Sequence, residues 1–94
     1  MSYKILFKVE AEKEWKNLDS EIKRQFKKKL MERVFSPRVI SSKLSNMQDC
    51  YKIKLKSSGY RLVYQVRDNE LVIVVVAVGK RERNAAYKAA IKRI

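Results

Sequence analysis

The stretch YKIKLK at 51–56 sets Lys52, Lys54 and Lys56 at alternate positions, with Tyr51, Ile53 and Leu55 between them. A strand turns successive side chains to opposite faces, so this pattern lines three ammonium groups along one face and three apolar groups along the other. The next stretch, YRLVYQV at 60–66, carries its apolar set at Leu62, Tyr64 and Val66. Keeping that set on the face of Ile53 and Leu55 requires a hairpin that turns at residues 57–58 and pairs Lys56 with Gly59 and Lys54 with Arg61. Like charges directly opposite one another destabilise a sheet pair, a cost that Thr or Gln would avoid. The pattern therefore favours a site built to hold anions over a plain solvated face. Lys80, Arg81 and Arg83, in GKRER at 79–83, leave the end of the following strand, from which at least one can turn toward the lysines. Tyr87 comes soon after, either as a core residue in line with Ile91 and Ile94 or as a platform for a stacked base.

The whole composition points the same way. The chain has 23 Lys and Arg against 10 Asp and Glu, a formal charge of +13. Such an excess seeks polyanions and favours a nucleic acid as partner through release of counterions from phosphates, ahead of an acidic protein or an anionic membrane. A length of 94 residues suits one domain over 1–94 with a thin core. The longest apolar run, LVIVVVAV at 71–78, is far shorter than the roughly 20 residues needed to span a bilayer. The start, Met1-Ser2-Tyr3-Lys4, does not read as a signal peptide, so a cytoplasmic protein is expected. The single Cys50 has no internal disulfide partner, and the chain contains no histidine. No zinc ligand set is available, no metal or cofactor is expected, and Cys50 reads as a small buried residue.

The elements that must position these groups follow from periodicity. YKILF at 3–7 reads as a strand, and Ala11, Trp15 and Leu18 fall at helical spacing. Asp19 or Ser20 can cap a second helix, in which Ile22, Phe26, Leu30 and Val34 recur every four residues until Pro37 ends it. The two helices form an αα-hairpin. Lys27, Lys28 and Lys29 on the second read as a solvated face. Residues 38–49 read as an ordered loop with a short extended piece at Lys43-Leu44. CYKIKLK, YRLVYQV and LVIVVVAV then form three strands, joined at Ser57-Ser58-Gly59 and Asp68-Asn69. The last is apolar at every position, as suits a central strand covered on both faces. KRERNAAYKAAIKRI returns to helical spacing through Tyr87, Ile91 and Ile94. The order β-α-α-β-β-β-α makes an α+β fold with about four strands and a short C-terminal helix.

DCYKIKLKSSGYRLVYQV at 49–66 and VGKRER at 78–83, in this order and spacing, closely resemble the RelE toxins of bacterial toxin-antitoxin modules, and the likeness runs through essentially the whole chain. The resemblance implies a small, mostly antiparallel mixed sheet flanked by helices. It also implies an endoribonuclease that cleaves messenger RNA in the ribosomal A site by attack of the ribose 2′-hydroxyl, without a metal. A cognate RelB-like antitoxin would wrap and silence it, and the +13 charge suits an acidic one. Position by position, Lys52, Lys54, Arg61, Arg81 and Tyr87 fall where the family's functional residues fall. Lys56, Lys80 and Arg83 are expected to bind RNA beside them. The chain departs from the family at Ser45-Asn46 and Gln48, where relatives often carry a basic residue, Gly and Pro.

With no histidine, proton transfer falls to Lys, Arg and Tyr. A lysine at its reference pKa is neutral only about once in 2,500 molecules at pH 7, but neighbouring cations lower that pKa. Lys52 and Arg61 beside Lys54 thus suit a general base, with Tyr87 as the other candidate. Arg81 would stabilise the phosphorane and assist the leaving 5′-oxygen. A non-cleaving nucleic-acid binder and a ParE-like gyrase poison remain the competing readings.

Overall fold

The computed structural model describes residues 2–94, Arg83 in its backbone alone. The elements are β1 (Lys4–Phe7), α1 (Val9–Lys16), α2 (Ser20–Arg33), β2 (Cys50–Lys54), β3 (Tyr60–Arg67), β4 (Val72–Lys80) and α3 (Ala85–Arg93). The sheet order is β1-β4-β3-β2, with β1 parallel to β4 and the other pairs antiparallel. This is the mixed α+β architecture that the element order and the resemblance led us to expect. The apolar run of β4 lies inside the sheet and is buried from Val72 to Val78.

Alternation sorts the strands' side chains into two layers. Tyr51, Ile53, Leu62, Tyr64, Val66, Ile73 and Val75 meet Ile22, Phe26, Leu30 and Val34 of the αα-hairpin. On the other side Cys50, Val63, Val76 and Ala77 meet Ala86 and Ala90 of α3. A bulge changes the parity of β4. Val63 pairs with Ala77 but Tyr64 with Val75, which leaves Val76 unopposed. Val76 and Ala77 therefore both belong to the α3 layer, and Val78 returns to the hairpin layer.

The cap of α2 and the loop before β2 follow the sequence-based expectation in outline. Asp19 holds the cap position of α2, but its side chain makes no capping bond. The expected extended piece is present as an antiparallel bridge between Lys43 and Tyr51. The loop around it is pinned by Arg38, which donates to Asp49 Oδ1 at 2.9 Å and to Asp68 Oδ2 at 2.7 Å. The buried Tyr64 hydroxyl donates to the Pro37 carbonyl at 2.6 Å.

Two corrections bear on the site. β2 ends at Lys54, not Lys56, because the chain closes a wider turn in which Leu55 is buried. The Gly59 amide donates to the Leu55 carbonyl at 2.8 Å and the Leu55 amide to the Tyr60 carbonyl at 2.9 Å. Lys56 thus leaves the row and does not pair with Gly59, whereas Lys54 does face Arg61. At the C-terminus, residues 82–84 form a 3-10 turn, Asn84 is left-handed at φ 52°, and the α-helix begins only at Ala85. Its buried stripe is Ala86 and Ala90. Ile91 and Ile94 are 51% and 45% exposed, so the expected stripe of Tyr87, Ile91 and Ile94 does not form. The cause is close approach: a Cβ at Gly79 would lie 3.6 Å from the Ala86 amide nitrogen, and at that distance alanine fits between helix and sheet where isoleucine does not. Among the described residues no helix is long and apolar enough to cross a membrane.

Candidate active site

Where β2, β3 and β4 run side by side, Lys54 lies opposite Arg61, and Arg61 opposite Gly79. The row ends at an open pocket of about 240 Å³ walled by Lys54, Lys56, Arg61 and Arg81, together with Leu55, Gly59 and Tyr60. A second hollow of about 320 Å³ shares Lys56, Gly59 and Arg81 with it and adds Ser57, Ser58, Lys80 and one acid, Glu82. The two form one cationic depression at the end of the sheet.

Local structure explains how Arg81 arrives there. Its amide donates to the Gly59 carbonyl at 2.8 Å, which ties the segment after β4 to the β2–β3 turn. Gly59 has φ +78°, and a Cβ there would sit 3.5 Å from Arg81 Cγ and Cδ. The contact is an ordinary one, so it is the left-handed turn that calls for glycine. Arg61 is oriented by Asn84, to whose Oδ1 its Nη1 donates at 3.2 Å. The Lys80 ammonium stands 5.8 Å from the centre of the Tyr60 ring, within range of a cation–π contact.

Lys52 and Lys54 keep the row that the strand pattern predicts, and Lys56 leaves it. Lys54 is exposed, and its amine titrates below the ordinary lysine range. The Lys52 charge is the main cause, followed by Arg61, partial desolvation and Lys56. Lys52 is half-buried on the same face and faces Val63, so it acts on Lys54 from beside the pocket, not from its wall. Tyr87 also stands behind the wall: the Arg61 guanidinium carbon lies over its ring, 5.2 Å from the centre. Burial pushes the Tyr87 phenol above its usual value, and the Arg61 charge opposes this only in part. Its hydroxyl is buried, and although Arg61 comes near, no hydrogen bond of good geometry reaches it from the described residues. Neither wholly core nor wholly platform, Tyr87 packs against the α3 layer while supporting Arg61.

The structure thus gathers Lys54, Lys56, Arg61 and Arg81 around one pocket and Lys80 beside it, with Lys52 and Tyr87 as a flanking layer. The Arg83 side chain lies outside the described residues. Gly59 and Asn84 orient the two arginines and are site residues that the charge pattern does not mark. A glycine closing a Ser-Ser-Gly turn and an asparagine just before a helix were the available signals. Chemically, the site can hold a phosphate in several cationic contacts. It can also take up a proton on an amine whose neutral form is favoured by its neighbours and offer a guanidinium to developing negative charge.

Comparison with known proteins shows the family. Residues 5–85 match the family described as the ParE toxin of the type II toxin-antitoxin system parDE. The chain is 55% identical, over all of its 94 residues and 99% of the relative, to the mRNA interferase toxin RelE of Escherichia coli strain K12. It is 55% identical over the same spans to the mRNA interferase RelE of Shigella flexneri. Among solved structures, a free-state mutant of E. coli toxin RelE superposes with a TM-score of 0.92 at 53% identity, over 100% of this chain and 99% of that one. The toxin chain in the intact E. coli RelBE toxin-antitoxin complex matches with a TM-score of 0.84 at 55% identity, over 87% of this chain and 100% of that one.

Proposed function

The chain belongs to the RelE toxins within the ParE toxin family of type II toxin-antitoxin systems, and on that premise we propose that it is an endoribonuclease that cleaves messenger RNA in the ribosomal A site. The observation that carries this reading is the convergence of Lys54, Arg61 and Arg81 on one pocket, with the Lys54 amine held below its ordinary titration range by Lys52 and Arg61.

In the reaction, neutral Lys54 takes the proton from a ribose 2′-hydroxyl as that oxygen attacks the adjacent phosphorus. The bond to the 5′-oxygen breaks and that oxygen takes a proton from water, leaving a 2′,3′-cyclic phosphate on one fragment and a 5′-hydroxyl on the other. Arg81 donates to the phosphorane oxygens and to the departing oxygen, while Lys52 and Arg61 hold the phosphate. Lys54 suits the base better than Tyr87, because burial makes the phenolate harder to form. The Tyr87 ring supports Arg61 and orients a base of the substrate. The pocket around Lys54 is walled by lysine and arginine without a carboxylate, a setting that repels a divalent cation, so the step runs on side chains alone. Lys56, Lys80 and Arg83 extend the grip on the RNA backbone, and the +13 charge draws the protein to ribosomal RNA. Its regulating partner is an acidic antitoxin, as the complexes of its relatives suggest.

The test is kinetic. Lys54→Ala and Arg81→Ala should each lower single-turnover cleavage on programmed ribosomes by at least about a hundredfold, the scale for one general acid-base or transition-state donor group. Ribosome binding should weaken far less. Equal losses in both would make these residues docking groups.

A further inference from the structure

α3 rests on the sheet through small or partly buried apolar groups, with Tyr87 and Ala89 packed beside Ala86 and Ala90. Only Ala86 and Ala90 are buried, the apolar Ile91 and Ile94 face solvent, and no side chain caps the helix at Asn84. What holds its far end is polar. Arg93 grips Glu14 of α1 with both arms of its guanidinium, Nη1 to Oε1 at 2.8 Å and Nη2 to Oε2 at 3.0 Å. Lys8 donates to the Arg93 carbonyl at 2.8 Å.

The clasp sits there because a strand is missing. β1 pairs with β4 only from Val72 to Val75, so the β4 backbone beyond it has no neighbour on that side. Glu14 Oε1 accepts the Val78 amide at 3.0 Å, and Arg93 Nη1 donates to the Val76 carbonyl at 2.9 Å. The two side chains take over the hydrogen bonds that a longer β1 would have made. Both are largely shielded, at 18% exposure for Arg93 and 32% for Glu14. A forked, partly buried guanidinium–carboxylate pair is a stiff connection.

Tyr87 precedes Arg93 by six positions, about 9 Å along a helix, so a displacement at the clasp reaches the ring on which Arg61 rests. We propose that Glu14, far from the pocket, is a positioning residue for the reaction: with Arg93 it clamps α3 to the edge of β4 and so holds Tyr87 against Arg61. This rests on the reading that Tyr87 serves the cleavage step.

Glu14→Gln keeps the side chain's length and an acceptor for the Val78 amide but removes the charge that Arg93 grips. Single-turnover cleavage and ribosome affinity are to be measured for Glu14→Gln, Tyr87→Ala and the double variant, with hydrogen exchange of residues 85–93 and, as a folding control, 20–33. We expect Glu14→Gln to slow cleavage by about tenfold or more, on the scale of a displaced positioning group, with ribosome affinity unchanged and faster exchange confined to 85–93. In the Tyr87→Ala background the same change should cost less than about twofold, since coupled residues do not add. A wild-type rate for Glu14→Gln beside an impaired Tyr87→Ala overturns the clasp's role alone. An equal loss in both backgrounds also overturns it. Full activity of Tyr87→Ala removes the reading of Tyr87 and the proposal with it.

Discussion

Tyr87→Phe should make the protein more stable. The Tyr87 hydroxyl is buried and has no hydrogen-bond partner of good geometry among the described residues. A buried polar group left in that state carries a desolvation cost of about 1–3 kcal/mol, which the nearby Arg61 guanidinium offsets only in part. Phenylalanine removes the group and keeps the ring face on which Arg61 rests 5.2 Å from its centre, so the cation–π contact survives. The expected gain is about 1 kcal/mol or more, which for a domain of this size raises Tm by about 4–8 °C per kcal/mol. Thermal and urea unfolding followed by circular dichroism would measure it. An unchanged or lower Tm refutes the reasoning and shows that the hydroxyl has a partner. The same variant separates two roles in catalysis. If the ring acts by stacking, Tyr87→Phe cleaves within a few-fold of wild type, whereas Tyr87→Ala loses about 5- to 150-fold, the rate equivalent of one base–aromatic stack. A loss near a hundredfold in Tyr87→Phe would make the hydroxyl the proton acceptor instead of Lys54.

The Lys54 amine must be neutral to act as a base and titrates below its usual 10.5. The single-turnover rate should therefore climb with pH and level off below that value. Lys52→Gln removes the largest cause of the lowering, so the climb should shift to higher pH and the rate at neutral pH should fall; an unshifted profile would exclude Lys54 as the base. Gly59→Ala places a side chain at φ +78° and should cost about 1–2 kcal/mol in urea unfolding, with cleavage falling too because the Gly59 carbonyl holds the Arg81 amide. An unaltered urea midpoint would show that the turn relaxes freely. Burial, helped by Asp49, pushes the Cys50 thiol up to about 11. At pH 8 a maleimide should therefore label it only as the protein unfolds, and fast labelling of the native protein would contradict its place under α3.

Strand alternation carried much of this site in the sequence. Facing Leu62 and Tyr64 inward with Ile53 excludes every register of the other parity, and with a short connection through 57–59 this sets Lys54 opposite Arg61. The four-residue spacing of Ile22, Phe26, Leu30 and Val34 likewise fixed the buried face of α2. Three features could not be read by such rules. The bulge that places both Val76 and Ala77 against α3 occurs in a run where every residue is apolar, so alternation has no contrast to report. The C-terminal helix offered isoleucines and alanines at helical spacing. Which set faced the sheet depended on how near the helix lies to Gly79, a tertiary distance that favours the smaller side chain. The Glu14–Arg93 clasp spans 79 positions and answers to the end of β1, so neither residue's neighbours announce it.

The most direct test of the central claim is to incubate ribosomes programmed with a defined messenger and the protein, then determine where the RNA is cut and what chemistry the ends carry. The account predicts a break within the A-site codon, a 2′,3′-cyclic phosphate upstream and a 5′-hydroxyl downstream. A messenger with 2′-deoxyribose at the scissile nucleotide should stay intact. Intact native messenger, ends bearing a 3′-hydroxyl, or inhibition of DNA supercoiling in place of cleavage would contradict it.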